Sequence, residues 1–161
     1  MATPAATRTY TLEAGGSADL SDVMSVMEAA FGDTYGEGWT RSQVAGILPM
    51  AGVSLVLARG VHDRHCAGFS LSRAVADEAE LLLIAVLPGQ RRRGVARKLL
   101  EEFMRQSRDL GLRQVHLEVR YGNAAAELYR QAGFEPVGRR RNYYHGADGR
   151  RHDAITFARQ L

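Results

Sequence analysis

The sequence lacks several features that would mark a secreted or membrane protein. Cys66 is the only cysteine among 161 residues, so no internal disulfide can form and a reducing compartment is expected. No segment approaches the roughly 20 consecutive apolar residues of a membrane span. The first ten residues, MATPAATRTY, lack the apolar stretch of a signal peptide. These absences favour a soluble cytoplasmic protein with no membrane partner.

Lysine is as rare as cysteine, with one residue of each. Lys98 stands beside twenty arginines, and the formal net charge is only +3. The arginines cluster at 91–93 and 139–141, so local patches matter more than the total charge. Apolar residues make up 45% of the chain, which suits a single core. Because there is no repeat, linker or low-complexity segment, residues 1–161 are expected to form one domain.

Hydrophobic periodicity predicts a mixture of helices and strands. Helices are predicted at 17–32, 40–48, 95–110 and 123–132. Their expected N-caps include Ser17, the Thr40–Gln43 capping box and Asn123, and their expected ends are Gly32, Pro49, Gly111 and Gly133. Strands are predicted at 7–14, 53–59, 67–76, 79–88, 112–120, 134–144 and 151–161. Strands and helices alternate only in the middle of the chain, which indicates an α+β fold or a mixed α/β sheet.

The stretch LPGQRRRGVARKLL, residues 87–100, joins an apolar strand to an amphipathic helix. The strand at 79–88 is apolar enough to be buried on both faces. Free N–H groups at the start of the helix and the helix dipole form an anion site, for which a pyrophosphate is the natural occupant. Gly94 and Ala96 would allow close approach, and arginine side chains would add attraction.

Two familiar nucleotide signatures are missing from this stretch. No Gly-Lys-Ser/Thr follows, and the glycine spacing is not that of a dinucleotide-binding motif, so NTPase and NAD functions lose their main support. A bare arginine triplet is most often a solvated surface run or a nucleic-acid patch. Both of these alternatives stay open from the triplet alone.

Three motifs together resemble a known family. The pattern Arg91-x-x-Gly94-x-Ala96 after LLLIAV resembles the acyl-CoA signature of the GNAT N-acetyltransferase superfamily. The stretches LEVRYGNAAAELYRQAGF and RRRNYYHGADGRRHDAI resemble those of RimI-type ribosomal-protein-alanine N-acetyltransferases. The resemblance is strong over 81–155 and looser before it, where the loop FGDTYGEGWTRSQ is longer than the family's short connection. It implies the GNAT acyl-CoA N-acyltransferase fold, an α/β (α+β) class with a mixed, mostly antiparallel sheet of about seven strands and flanking helices.

The same resemblance implies acetyl-CoA as cosubstrate, with no metal because the acetyl group is already activated. The pantetheine amides would pair with a strand edge in the manner of an added strand. In this fold the central strand diverges from its neighbour, and a main-chain N–H in the gap would polarise the thioester oxygen. The residues expected to bind the coenzyme are Ile84, Ala85, Val86, Arg91, Arg92, Arg93, Gly94, Val95, Ala96, Arg97 and Asn123.

Two side chains carry the expected chemistry. Glu118 matches the family's general base and lies with His116 on the polar face of its strand, although a solvent-facing glutamate is the simpler interpretation and His116 an alternative base. Tyr129 matches the family's general acid, and a buried core tyrosine is equally plausible. Asn123 is explained by an N-cap alone, and a coenzyme contact can coexist with that role.

The resemblance also implies an acceptor and a route of transfer. The expected acceptor is the N-terminal alanine of a small-subunit ribosomal protein, acetylated directly in a ternary complex by a monomer or weak dimer. Another amine, such as a different protein N-terminus, a polyamine or an amino acid, is the alternative that the long loop motivates. A nucleic-acid-binding domain and a non-catalytic acyl-CoA sensor are further alternatives. The aromatic residues expected to flank the acceptor are Tyr35, Trp39, Tyr143 and Tyr144.

Overall fold

One mixed sheet organises the chain in the computed structural model, which describes residues 9–161. Its strands are β1 (Tyr10–Ala14), β2 (Val53–Gly60), β3 (Cys66–Val75), β4 (Glu78–Val86), β5 (Gln114–Arg120), β6 (Glu135–His145) and β7 (Arg151–Gln160). The α-helices are α1 (Leu20–Phe31), α2 (Arg41–Ile47), α3 (Val95–Asp109) and α4 (Ala125–Gln131). The expected class, a mixed sheet of about seven strands with flanking helices, is confirmed.

The strand order in the sheet is β1-β2-β3-β4-β5-β7-β6. All neighbouring pairs are antiparallel except β4 and β5, which are parallel and are joined through α3. The last strand, β7, therefore inserts between β5 and β6. This insertion brings the end of the chain next to the strand that carries Glu118.

The parallel pair β4–β5 is hydrogen-bonded over only part of its length. Pairing runs from Glu78 opposite Gln114 to Leu81 opposite Leu117. Beyond that point β4 continues to Val86, still paired with β3 on its other side. The two strands thus diverge and leave a gap in the middle of the sheet, as the resemblance implied.

Two layers of helices cover the sheet. On one face, α1 and α2 pack against β2, β3 and the second half of β4. On the other face, α3 and α4 pack against β4, β5 and β7. The predicted apolar stripe of α3 is confirmed by the burial of Leu99, Leu100, Phe103 and Met104. Within residues 9–161, none of the helices has the length and hydropathy needed to cross a membrane.

Local signals predicted most of the helix boundaries. The Thr40 side chain accepts the Gln43 N–H, and the Gln43 side chain accepts the Thr40 N–H, so the predicted capping box forms. The prediction of Ser17 as the N-cap of α1 is wrong. Residues Ser17–Asp19 form a 3-10 turn whose Asp19 carboxylate accepts the Gly16 N–H at 2.9 Å, and α1 begins only after that turn.

Two strand predictions need adjustment. The expected first strand began at residue 7, and its first two residues lie outside the described part of the chain. The expectation that the apolar strand is buried on both faces is only half right for β4. Burial alternates along β4, with Glu80, Leu82 and Ile84 only half buried. For Leu82 and Ile84 the reason is the divergence from β5, which leaves this part of the strand facing an open cleft.

Candidate active site

A cleft of about 720 Å³ opens where β4 and β5 diverge. Its walls come from the second half of β4, the end of β5, the start of α4, the loop after α1 and the β6 tyrosines. Several predicted site residues line this cleft together: Ile84, Ala85, Val86, Arg91, Arg92, Ala96, Glu118, Asn123 and Tyr129. Arg91, Arg92 and Ala96 add the turn between β4 and α3 to the five walls named above, so the tertiary structure gathers six separate segments around one gap.

Glu118 is buried rather than solvent-facing, with only 7% of its side chain exposed. The Thr156 hydroxyl donates to Oε2 at 2.8 Å, and the Arg140 guanidinium lies 3.0 Å from Oε1. Both partners come from strands that follow β5 in the chain, β7 and β6. They hold the carboxylate in one orientation within the cleft.

Tyr129 lies on the other side of β5 from Glu118. Its ring packs edge-on against Phe134 and at a tilt against Phe157, in the same core cluster as Leu117 and Val119. Burial, and secondarily the negative charge of Glu37, raises the pKa of Tyr129 well above its usual value of about 10. The phenol therefore keeps its proton at neutral pH, and Tyr129 is both a core residue and a wall of the cleft.

The turn between β4 and α3 has the geometry of an anion site. Gly94 adopts φ +77°, and α3 starts directly after it with no acidic residue in its first turn. The first helical hydrogen bond runs from the Lys98 N–H to the Gly94 carbonyl, which leaves the N–H groups of residues 95–97 without a helical acceptor. A β-carbon built on Gly94 meets nothing within 4 Å, so the space in front of the turn is open. A pyrophosphate fits this arrangement.

The arginines of this turn have different surroundings. The Arg91 guanidinium donates to the Ala30 carbonyl at 3.2 Å and so joins the turn to the end of α1. Arg92 has φ +62° and lines the cleft, whereas Arg93 is exposed outside it. Arg97 lies outside the cleft and donates to Gln131 at 3.0 Å. Among the arginines predicted to bind phosphate, Arg91 and Arg92 line the cleft, and Arg91 is already bound to the end of α1. Arg92 is therefore the better candidate for a phosphate contact in the cleft.

Two of the other predicted coenzyme ligands offer only their main chain. The Val95 side chain is buried in the core beside Leu99. Gly94 has no side chain, and its contribution is the turn itself. Just before the turn, the buried Tyr10 hydroxyl donates to the Gln90 side chain, which ties this loop to the first strand.

Glu37 is the residue of this site that sequence reasoning missed. It lies in the long loop after α1, where Asn123 Nδ2 donates to its Oε2 at 2.8 Å and Arg120 Nε to its Oε1 at 3.2 Å. Only 12% of the Glu37 side chain is exposed. The Arg120 guanidinium also stacks 3.7 Å from the Tyr35 ring centre. The loop is thus fastened to the end of β5 and to the start of α4, by contacts that no local signal could have revealed.

The Asn123 amide combines two contacts. Its Oδ1 accepts the Ala125 N–H at 2.9 Å, and its Nδ2 donates to Glu37. The predicted N-cap is wrong by one residue, because Ala124 is the N-cap of α4 and Asn123 precedes it. His116, the alternative base, does not line the cleft. Its ring nitrogens lie 3.8–3.9 Å from Glu80 and Glu78, and Nδ1 is a buried atom without a hydrogen-bond partner among the described residues. The geometry therefore favours Glu118 over His116.

The fold and the cleft together define a class of protein. The family model described as Acetyltransferase (GNAT) family matches residues 22–134. The match covers more than half of the chain, and the protein belongs to this family. The resemblance seen in the sequence is thereby confirmed.

Two curated members of this family are similar in sequence to part of the chain. The [Ribosomal protein bS18]-alanine N-acetyltransferase of Escherichia coli strain K12 is 45% identical over 93 residues, which are 57% of this chain and 62% of that protein. The N-alpha-acetyltransferase RimI of Mycobacterium tuberculosis is 46% identical over 86 residues, 51% of this chain and 52% of that protein. The aligned segments thus span less than two thirds of the length of these curated relatives.

Solved structures extend the comparison over nearly the whole chain. The ribosomal-protein-S18-alanine N-acetyltransferase from Escherichia coli superposes with a TM-score of 0.84 at 31% identity, covering 95% of this chain and 94% of that one. Arabidopsis thaliana NAA60 in complex with a bisubstrate analogue superposes with a TM-score of 0.82 at 19% identity, covering 94% and 98%. The second likeness shows the fold alone.

Proposed function

We propose that this protein is an acetyl-CoA-dependent N-acetyltransferase whose acceptor is the N-terminal alanine of ribosomal protein S18. The observation that carries the proposal is the gap between β4 and β5, which is walled by a buried carboxylate and a protonated phenol. Two relatives, at 45% and 31% identity, are named for this acceptor, and their names support it. Because such an acceptor is made in the cytoplasm, we assign the protein to that compartment.

The residues around the gap fit an acyl-CoA. Acetyl-CoA supplies an acetyl group activated as a thioester. The unpaired edge of β4 at Ile84, Ala85 and Val86 would hold the pantetheine amides, and the N–H groups after Gly94 would hold the pyrophosphate. Arg92 adds attraction, and Asn123 lines the same cleft as the two catalytic candidates. Because the acetyl group is already activated, we propose direct transfer without an acyl-enzyme.

Glu118 would receive the proton of the attacking amine. An N-terminal α-amino group has a pKa near 8, so roughly a tenth of it is neutral at pH 7 and a carboxylate is a sufficient base. Thr156 and Arg140 hold the Glu118 side chain in place in the cleft. The proton passes to the carboxylate directly or through one water.

Tyr129 would protonate the departing thiolate from the opposite side of β5. Its raised pKa keeps the proton on the phenol until the sulfur develops charge. In this proposal Glu118, the base, lies on the acceptor side of the gap, and Tyr129, the acid, lies on the coenzyme side. An amine and a thioester can therefore meet in the gap without either catalytic group crossing it.

The arginine clusters support catalysis better than nucleic-acid binding. In the second cluster, Arg139 pairs with Asp153 and Arg140 with Glu118, so two of its three charges are already neutralised within the protein. In the first cluster, Arg91 binds the end of α1. Of the three remaining arginines, Arg92 lines the cleft.

The acceptor is tested directly by offering peptides to the purified protein. A peptide with the N-terminal sequence of ribosomal protein S18 is compared with its N-terminally blocked form, a polyamine and free amino acids, while release of free CoA and peptide mass are recorded. We expect one acetyl group on the α-amine of the alanine peptide. Preferential acetylation of a polyamine or amino acid would overturn the proposed acceptor and leave the acetyltransferase assignment intact.

Tyr129→Phe is expected to lower kcat by about 10²-fold, the scale of one positioned proton donor. Phenylalanine keeps the ring contacts with Phe134 and Phe157, so the melting temperature is expected to change little. The rate of the unsubstituted enzyme should rise as the acceptor amine loses its proton near pH 8. It should not fall again by pH 9, because the Tyr129 phenol is still protonated there. A Tyr129→Phe enzyme with an unchanged kcat would contradict the role of Tyr129.

Glu37→Ala is expected to raise the KM for the acceptor peptide about tenfold, because a lost charge-assisted hydrogen bond is worth about 1.5–3 kcal/mol. It removes the attachment of the loop to Arg120 and Asn123. Glu37→Gln keeps an acceptor for Asn123 and should show a smaller effect. Glu28→Ala, an exposed residue on α1, serves as the control. Equal KM values in Glu37→Ala and Glu28→Ala would show that the loop attachment does not shape the acceptor site.

A further inference from the structure

Strand β6 is interrupted beside the active site. Arg140 faces Ala154 of β7, and the next paired residue of β6, Tyr144, faces His152. Three residues of β6, at 141–143, therefore lie opposite the single residue Asp153. Such a bulge bends its strand and redirects the side chains that follow it.

The Asp153 carboxylate closes this bulge from the neighbouring strand. Its Oδ1 accepts the Asn142 main-chain N–H at 2.9 Å, and its Oδ2 accepts the Arg139 Nε–H at 2.8 Å. These two donors hold the pKa of the Asp153 carboxyl below its usual range. The carboxylate thus binds β6 both within the bulge and before it.

Asn142 adopts a left-handed backbone conformation at φ +55°. Asparagine tolerates this conformation better than other side chains, but glycine adopts it still more readily, so a contact that fixes the main chain at Asn142 favours the bulge. Asp153 supplies such a contact. Asn142 and the carboxylate form one unit, which we name the Asp153 clasp (Arg139, Asn142 and Asp153).

The side chains on both sides of the clasp reach Glu118. Arg140, just before the bulge, lies 3.0 Å from its carboxylate. Tyr144, just after it, donates to the Glu118 main-chain carbonyl at 3.4 Å, and Tyr143 packs edge-on against Tyr144. In a strand, a slip of one residue moves every side chain to the opposite face. The register on both sides of the bulge is therefore what brings Arg140 and Tyr144 to the same glutamate.

We propose that Asp153 is a positioning residue for acetyl transfer, which acts by holding the left-handed Asn142 and thereby the register that places Arg140 and Tyr144 on Glu118. This inference rests on the proposed function. The Asp153 side chain does not line the cleft, and its hydrogen bonds to Arg139 and Asn142 both go to β6. The acceptor side of the site therefore depends on Asp153, whereas the coenzyme side, built from β4 and α3, does not.

The test compares Asp153→Ala with the double variant Asp153→Ala/Asn142→Gly. Displacing an active-site group by ~1 Å can lower a rate by ~10²-fold, and for Asp153→Ala we expect a tenfold or greater loss of kcat/KM for the S18 peptide. The Kd for acetyl-CoA, measured by calorimetry, should stay within about twofold because the helix start and strand edge that hold it are untouched. Glycine adopts φ +55° without an anchor, so the double variant should recover most of the lost activity.

Two further measurements keep the test decisive. Hydrogen exchange of residues 139–145 should increase in Asp153→Ala and return toward the original level in the double variant, whether or not the protein acetylates the S18 peptide. Asp109→Ala removes an exposed aspartate on α3 and is the matched control. Melting curves identify a variant that does not fold, in which case Asp153→Asn, which keeps an oxygen for the Asn142 N–H, takes its place.

The proposal is overturned if the double variant is no more active than Asp153→Ala, or if Asp153→Ala keeps the kcat/KM of the control. It is also overturned if exchange at 139–145 is unchanged. If the unsubstituted protein acetylates no amine, the proposed function fails, while the exchange experiment still decides whether the Asp153 clasp holds β6.

Discussion

Glu118→Gln is expected to lower kcat at pH 7 by about 10²-fold or more, the scale of one positioned general base. Glutamine keeps the size of the side chain, its amide oxygen can accept from Arg140, and its amide N–H can donate to the Thr156 hydroxyl oxygen, so the cleft should keep its shape. What is lost is the capacity to take a proton. Steady-state kinetics with the S18 peptide measure the loss, and calorimetry should show an unchanged Kd for acetyl-CoA.

The pH dependence of this variant separates a base from a structural anchor. The α-amine titrates near pH 8, so above about pH 9 most of it is already neutral and has less need of Glu118. The defect should therefore shrink as the pH rises from 7 to 9.5. Glu80→Gln is the control, because Glu80 also lines the cleft but lies outside the predicted machinery. A defect that is constant over this range, or shared by Glu80→Gln, would contradict the role of Glu118.

Gly94→Val is expected to reduce acetyl-CoA binding by about 10²-fold or more. A β-branched residue at φ +77° carries a backbone strain of about 1–3 kcal/mol. Its side chain would also project into the open space in front of the helix start, where the pyrophosphate is expected. Calorimetric titration with acetyl-CoA measures the effect without needing any acceptor.

The comparison with neighbouring positions shows which part of the turn binds the phosphates. Gly89→Val is the matched control, since a β-carbon at Gly89 also meets nothing within 4 Å and its φ is not positive. Arg92→Ala and Arg93→Ala are expected to weaken binding only several-fold, as single surface charges do at physiological salt. If the arginine variants bind more weakly than Gly94→Val, side-chain charge rather than main-chain N–H groups holds the coenzyme.

Local sequence was sufficient to predict the strand, turn and helix that form the anion site. Gly94, the free N–H groups after it and the apolar stripe of α3 belong to a stretch of consecutive residues, so their geometry follows from short-range rules. The wrong prediction of Ser17 as an N-cap also concerned neighbouring residues. Asp19 is the N-cap of α1, and its carboxylate accepts the Gly16 N–H. The fold class and the family followed from several such stretches in order along the chain.

The environment of Glu118 could not be predicted in the same way. A glutamate on an alternating strand is expected to face solvent, yet the insertion of β7 between β5 and β6 brings Thr156 and Arg140 onto it. The roles of Glu118 and Tyr129 remain predictions, but their surroundings now favour a held base and a protonated acid over the simpler alternatives.

The sequence alone determined most of the helices and strands and the turn that is proposed as an anion site, because each depends on neighbours a few positions away. It also indicated the residues proposed to carry the chemistry. Tertiary structure decided where β4 and β5 diverge and how the Asp153 clasp orients β6. It also decided that Glu37 binds Arg120 and Asn123, which are far from it in the sequence. These contacts depend on strand register and strand order. Because a shift of one residue reverses the face of every side chain, only the packed fold selects among the possible pairings.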